Sequence, residues 1–110
     1  MSRFEIFLLD ILEMIKRIED YTEKVGMNFK NLVYYDSTLM RLQVIGEAVK
    51  KLPKEELKKY PDVDWNVFVK FREVVSHTYF RISHKILNDM LNNQLPKLRY
   101  AIKDMGDRLK

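Results

Sequence analysis

The sequence predicts an all-α fold, a four-to-five-helix up-and-down bundle, and three observations carry that expectation. Apolar residues recur in steps of three and four along nearly the whole chain, the spacing of helix faces. Only three glycines and three prolines punctuate 110 residues, too few turn residues for an all-β fold. Apolar side chains make up 46% of the chain, enough for one core, and the length suits a single domain over residues 1–110.

The elements follow in order. Phe4, Phe7, Leu8, Ile11, Ile15, Ile18 and Tyr21 mark one face of a long first helix, widened by Leu12, Met14 and Val25. Ser2 and Glu5 have capping-box spacing at its start, and Gly26 sits where a left-handed residue would end it. Residues 27–36 read as a loop, yet Phe29, Leu32, Val33, Tyr34 and Tyr35 make it apolar, so it is expected to pack on the domain or on a partner. A second helix is expected from Asp36 or Ser37, with Leu39, Leu42, Ile45, Val49 and Leu52 on its buried stripe. Gly46 falls in its middle, where glycine costs about 1 kcal/mol relative to alanine; a close helix crossing explains that, and so does chance. Pro53 opens a short helix over 54–60, and Pro61 breaks it. Asp64 caps a third helix, with Trp65 as a core anchor and Phe68, Val69, Phe71, Val74 and Val75 apolar over much of its circumference. It should end within residues 76–80, because Ser83 reads as a fresh cap, and Tyr79 and Phe80 are read as core aromatics. The last helix carries Ile86, Leu87, Met90, Leu91, Leu95, Leu98, Ile102 and Met105. Pro96 predicts a kink or a helix break near residues 92–95, and Gly106 marks its end.

Composition excludes several functions. Charged residues reach 33% but are mixed in sign, unlike a disordered chain. Zero cysteine removes disulfides, zinc fingers, iron–sulfur sites and thiol nucleophiles. No apolar run approaches the roughly 18 residues of a membrane span. Arg3, Glu5 and Asp10 interrupt the first apolar stretch, against a signal peptide. A cytoplasmic protein without a membrane partner is the expectation. The net charge of +4 is uneven: residues 1–36 carry five basic and seven acidic side chains, the remainder fifteen and nine. A basic C-terminal two-thirds suits a phosphate-bearing partner, and equally a solvated Lys/Glu surface.

One segment gathers Arg, His and Tyr among apolar residues, Arg72-Glu73-Val74-Val75-Ser76-His77-Thr78-Tyr79-Phe80. Arg offers a planar fork for phosphate, and His moves a proton near neutrality. Together they suit metal-independent RNA cleavage, in which a ribose 2′-OH attacks the neighbouring phosphate. On a continuous helix the two residues diverge by about 140°. Convergence needs the helix to end at His77, or two subunits to face each other. Glu73 and His77 are four apart and can touch. A helix-terminal Arg and His also form surface pairs or caps, and spacing alone does not separate the readings. Glu47 and Arg41 read as ordinary surface charges. No Asp/Glu/His cluster has metal-ligand spacing, and the expected helix break removes His84 from alignment with His77, so neither a metal nor a cofactor is expected.

At these residues the chain resembles the HEPN superfamily, and within it the HepT-like toxins. The family motif, Arg, four to six residues, His, x, Tyr, reads here as Arg72, Glu73-Val74-Val75-Ser76, His77, Thr78, Tyr79. Arg41 to Ala48 is similar to the family's second-helix segment, Tyr60 to Trp65 to the approach to its third helix, and Gln94 to Leu98 to its last-helix segment. The match runs from the first helix to about Ile102. The residue after Arg is commonly Asn, Asp or His in the family, and is Glu73 here.

The resemblance implies a HEPN-like bundle that forms a homodimer, with its motifs lining a cleft at the twofold axis. It implies an endoribonuclease toxin acting on RNA, with Arg72 and His77 catalytic. Glu73, Ser76 and Thr78 are auxiliary candidates. It also implies a cognate nucleotidyltransferase antitoxin that neutralises the toxin by adding AMP to Tyr79. The alternative is a non-catalytic helical module that presents nucleotide to such a transferase.

Overall fold

The computed structural model of the chain describes residues 1–109, and among these it contains helices and no strand. The all-α expectation therefore holds. Helix α1 spans Arg3–Val25. Its start has the full capping box: the Ser2 side chain accepts from the Glu5 backbone N–H, and Glu5 reaches back to the Ser2 N–H. It ends at Gly26, whose φ of +84° and ψ of 155° lie in a region open essentially to glycine alone. Leu8, Ile11, Ile15 and Ile18 are its buried face, as the spacing predicts.

Helix α2 spans Leu32–Lys50 and so starts earlier than the sequence reading placed it. Asn31 is the cap, its side chain accepting from the Tyr34 N–H at 3.1 Å. The stretch 27–36 is thus half loop and half helix. Tyr34 and Tyr35 extend the buried stripe of Thr38, Leu39, Leu42, Ile45 and Val49 by one turn. The Tyr34 hydroxyl meets Thr22 Oγ1 at 2.6 Å, and Arg41 donates to the Arg17 carbonyl, so both bind α2 to α1. Helix α3 is the short Lys54–Leu57, capped by Pro53.

The third helix of the sequence reading is two. Asp64 caps α4, Trp65–Val69, by accepting from the Val67 N–H. After Lys70 alone, α5 runs Phe71–Thr78. Trp65 is half-buried and donates from its indole N–H to the Leu57 carbonyl at 3.0 Å, which anchors α4 on α3. Gly46 accounts for the fit of α4 on α2. A Cβ built there would stand 3.1 Å from the Phe68 carbonyl carbon and nearer still to its oxygen. The close crossing, rather than chance, explains this glycine.

A 3₁₀ turn, Tyr79–Arg81, follows α5. Ser83 caps α6, His84–Asp89, as expected. A π turn over Met90–Gln94 joins it to α7, Leu95–Arg108. The Leu95 N–H reaches the Met90 carbonyl, five residues back. This wider turn is where Pro96 would otherwise lose a bond to, and clash with, the Asn92 carbonyl. The expected disturbance takes that form. Gly106 does not end the helix, which continues to Arg108. Helix α1 packs between α2 and α7, while α4 and α5 pack on α2. Phe80 corrects the sequence reading: it is 90% exposed, because the 3₁₀ turn directs it away from the core that takes Phe71, Val75 and Ile82. Among the described residues, no helix is long and apolar enough to cross a membrane.

Candidate functional site

Helix α5 has one buried edge, Phe71 and Val75, four residues apart, and this pins it to the core. Arg72, Glu73, Ser76, His77 and Thr78 are left exposed. The helix runs past His77 to Thr78, so Arg72 and His77 lie on one uninterrupted helix and diverge by about 140°. The backbone leaves helical dihedrals at Thr78, φ −139° and ψ 30°, directly after His77, and both motif residues keep their helical positions, so the helix end does not bring them together.

Arg72 turns toward α2, where its Nη1 donates to Glu47 Oε1 at 3.2 Å. Glu47 is thus more than a surface charge, being the carboxylate that holds the motif arginine. Both partners are substantially exposed, 66% and 38% by side chain, so a phosphate can displace Glu47 at small cost. Among the described residues the His77 side chain makes no hydrogen bond, ion pair or ring contact, which leaves its imidazole open to a substrate. Glu73 touches neither His77 nor Arg72 through a hydrogen bond or ion pair among these residues. The Thr78 hydroxyl donates back to the Val74 carbonyl at 2.7 Å, so its proton is already engaged. Ser76 is exposed on the same helix.

Tyr79 is the most constrained motif residue. Its hydroxyl donates to Asp36 Oδ1 at 2.5 Å. Its carbonyl accepts from the Tyr35 hydroxyl, and the Tyr35 and Tyr79 rings meet edge to face at 5.9 Å. The Asp36 carboxylate, with a smaller contribution from burial, raises the Tyr79 phenol above its ordinary range, because the neutral phenol is the form that donates. His84 packs its ring near Phe29 and Tyr35 and completes an aromatic support under the turn. Sequence reasoning missed Tyr35, Asp36 and Glu47 as site residues. They stand 44, 43 and 25 residues from their partners, and no local spacing signals such pairs. Lys70, Arg81 and Lys85 stand near the motif in sequence without an ion pair among the described residues. Among the described residues, no group of three or more His, Cys, Asp or Glu could hold a metal ion.

A family model described as "Ribonuclease HepT-like" matches residues 11–105, nearly the whole bundle and all of the motif. The chain belongs to the HepT-like ribonuclease family. That membership places it among the endoribonucleases. A Methanocaldococcus jannaschii protein named "Putative RNase" is 36% identical over 105 residues, covering 90% of this chain and 87% of its own. A protein of that name from Caldanaerobacter subterraneus is 32% identical over 98 residues, covering 84% and 87%. The "Probable ribonuclease HepT" of Thermococcus cleftensis is 27% identical over 97 residues, covering 84% and 86%. No solved structure matches. The HepT-like resemblance read from the motif and its flanking segments is thereby shown.

Proposed function

We propose that this HepT-like protein is a metal-independent endoribonuclease toxin that acts as a homodimer, with Arg72 and His77 meeting across a cleft between two chains. The observation that carries the reading is the divergence of the two residues on α5: each is exposed, each suits phosphodiester chemistry, and one chain does not aim them at a common point. Two antiparallel copies of α5 facing across a twofold axis would bring the Arg72 of one chain toward the His77 of the other. The ribose 2′-OH of the substrate attacks the adjacent phosphorus, and the bond to the 5′-oxygen breaks. His77 handles the proton, and Arg72, released from Glu47, neutralises the developing charge. The nucleophile belongs to the substrate itself, so the step requires no metal-bound water. Glu73 and Ser76, exposed on the same helix, are auxiliary phosphate or water contacts, and Thr78 is a weaker one because its proton is committed to Val74.

The partner in this reading is a nucleotidyltransferase antitoxin that adds AMP to Tyr79. A bulky anion two residues from His77 would obstruct the cleft and compete with RNA for Arg72. The test is cleavage of RNA in EDTA by the purified protein and by Arg72→Ala and His77→Ala. Wild-type cleavage with a loss of about 10²-fold or more in each variant is expected. Persistent cleavage by both variants would sink the assignment.

A further inference from the structure

The contacts of Tyr79 assign a role to Asp36. We infer that Asp36 is the proton acceptor that readies the Tyr79 hydroxyl for nucleotide transfer, a role that rests on the reading of Tyr79 as the modified residue. The hydroxyl donates to Asp36 Oδ1 at 2.5 Å, a charge-assisted bond from the atom that must attack to a carboxylate able to take its proton. The alignment is fixed from two sides. Tyr35, itself buried, holds the Tyr79 carbonyl through its hydroxyl and sets its ring against the edge of the Tyr79 ring. Tyr35 and Asp36 are consecutive on α2, so one rigid helical turn positions both backbone and hydroxyl.

The site is also open to an incoming enzyme. Asp36 is exposed, with exposed Val33 and Met40 one turn to either side on the same face of α2. Exposed Phe80 meets the Tyr79 ring at 5.0 Å. A hydroxyl that donates to a carboxylate is the arrangement by which hydroxyl substrates of phosphoryl-transfer enzymes give up their proton.

Tyr79 Oη attacks the α-phosphorus of ATP bound on the transferase, and an O–P bond forms. The bond from that phosphorus to the bridging oxygen of the β-phosphate breaks, and pyrophosphate leaves. The phenolic proton passes to Asp36 Oδ1 and then to solvent. The product cannot keep the hydrogen bond to Asp36, because no proton remains on the phenolic oxygen.

The experiment incubates the protein with a nucleotidyltransferase of the proposed antitoxin type, Mg²⁺ and ATP, and follows AMP on Tyr79 by mass spectrometry against pH. Wild type, Asp36→Asn and Asp36→Ala are compared. Asn keeps a hydrogen-bond acceptor but cannot take the proton. Both variants should lose about 10²-fold or more in rate, and the acid limb of the wild-type pH profile should disappear in Asp36→Asn. Transferase binding by Asp36→Asn, measured separately, should remain within a few-fold of wild type. Modification of Asp36→Asn at the wild-type rate overturns the inference alone, whether or not Asp36→Ala is slow. Absence of AMP on wild-type Tyr79 overturns both the inference and the regulatory reading beneath it.

Discussion

Replacing Gly46 by alanine tests how tightly the site-bearing helices are held. The added Cβ would stand 3.1 Å from the Phe68 carbonyl carbon. The oxygen lies nearer still, and the C=O bond is about 1.2 Å long, so the oxygen falls roughly 1 Å inside ordinary contact. The obstacle is backbone of α4, not a side chain that can rotate, so α4 must shift as a unit. Overpacking of this kind costs about 1–3 kcal/mol, and a backbone obstacle places it at the upper end. Against this, alanine gains about 1 kcal/mol of helix propensity. The net loss is about 2 kcal/mol, a fall in Tm on the order of 10 °C for a domain of this size. Gly106 is the internal control: it lies inside α7 with nothing within 4 Å of an added Cβ. Gly106→Ala should therefore raise stability by up to about 1 kcal/mol. Thermal and urea unfolding of both variants measure the contrast. Because only Lys70 separates α4 from α5, Gly46→Ala should also move Arg72 relative to Glu47 and slow RNA cleavage. Equal stabilisation by the two substitutions would refute the close crossing.

Other outcomes follow from single contacts. Glu47→Gln should change stability by less than about 1 kcal/mol, because the pair with Arg72 is exposed, and it should change the KM for RNA more than the Tm. Tyr79 ionises above the ordinary phenol value because it donates to Asp36, so this contribution to stability is complete below about pH 10 and is lost as pH rises through the raised value. Asp36→Asn should move Tyr79 back toward the ordinary range, as read by ultraviolet titration against Tyr79→Phe, and should flatten that alkaline dependence. Tyr34→Phe removes the hydroxyl that meets Thr22 at 2.6 Å and should cost about 1 kcal/mol in denaturant unfolding.

The long helices were legible because their signals are local. The capping box of Ser2 and Glu5, the stripe from Leu8 to Ile18, the caps at Asp64 and Ser83 and the disturbance before Pro96 are all read within a few residues. The start of α2 was not, because Asp36 and Ser37 are as good a cap in isolation as Asn31. Burial of Tyr34 and Tyr35 against α1 and the 3₁₀ turn decides between them, and that is tertiary. Phe80 misled for the converse reason, since an aromatic beside a buried stretch reads as core until the turn at Tyr79 rotates it outward. The motif on α5 was visible as a run of residue types. Its partners Glu47, Asp36 and Tyr35 were not, because they arrive from a different helix, 25 to 44 residues away in the chain.

The central claim is that Arg72 and His77 act together from different chains, and subunit complementation tests it directly. Arg72→Ala and His77→Ala proteins, each inactive alone, are mixed under conditions that allow subunits to exchange, and RNA cleavage is measured in EDTA. A heterodimer would carry one intact cross-chain site, so activity should return to about one quarter of the wild-type level at statistical exchange. Confirmed exchange with no recovery of cleavage would contradict the cross-chain pairing of Arg72 with His77.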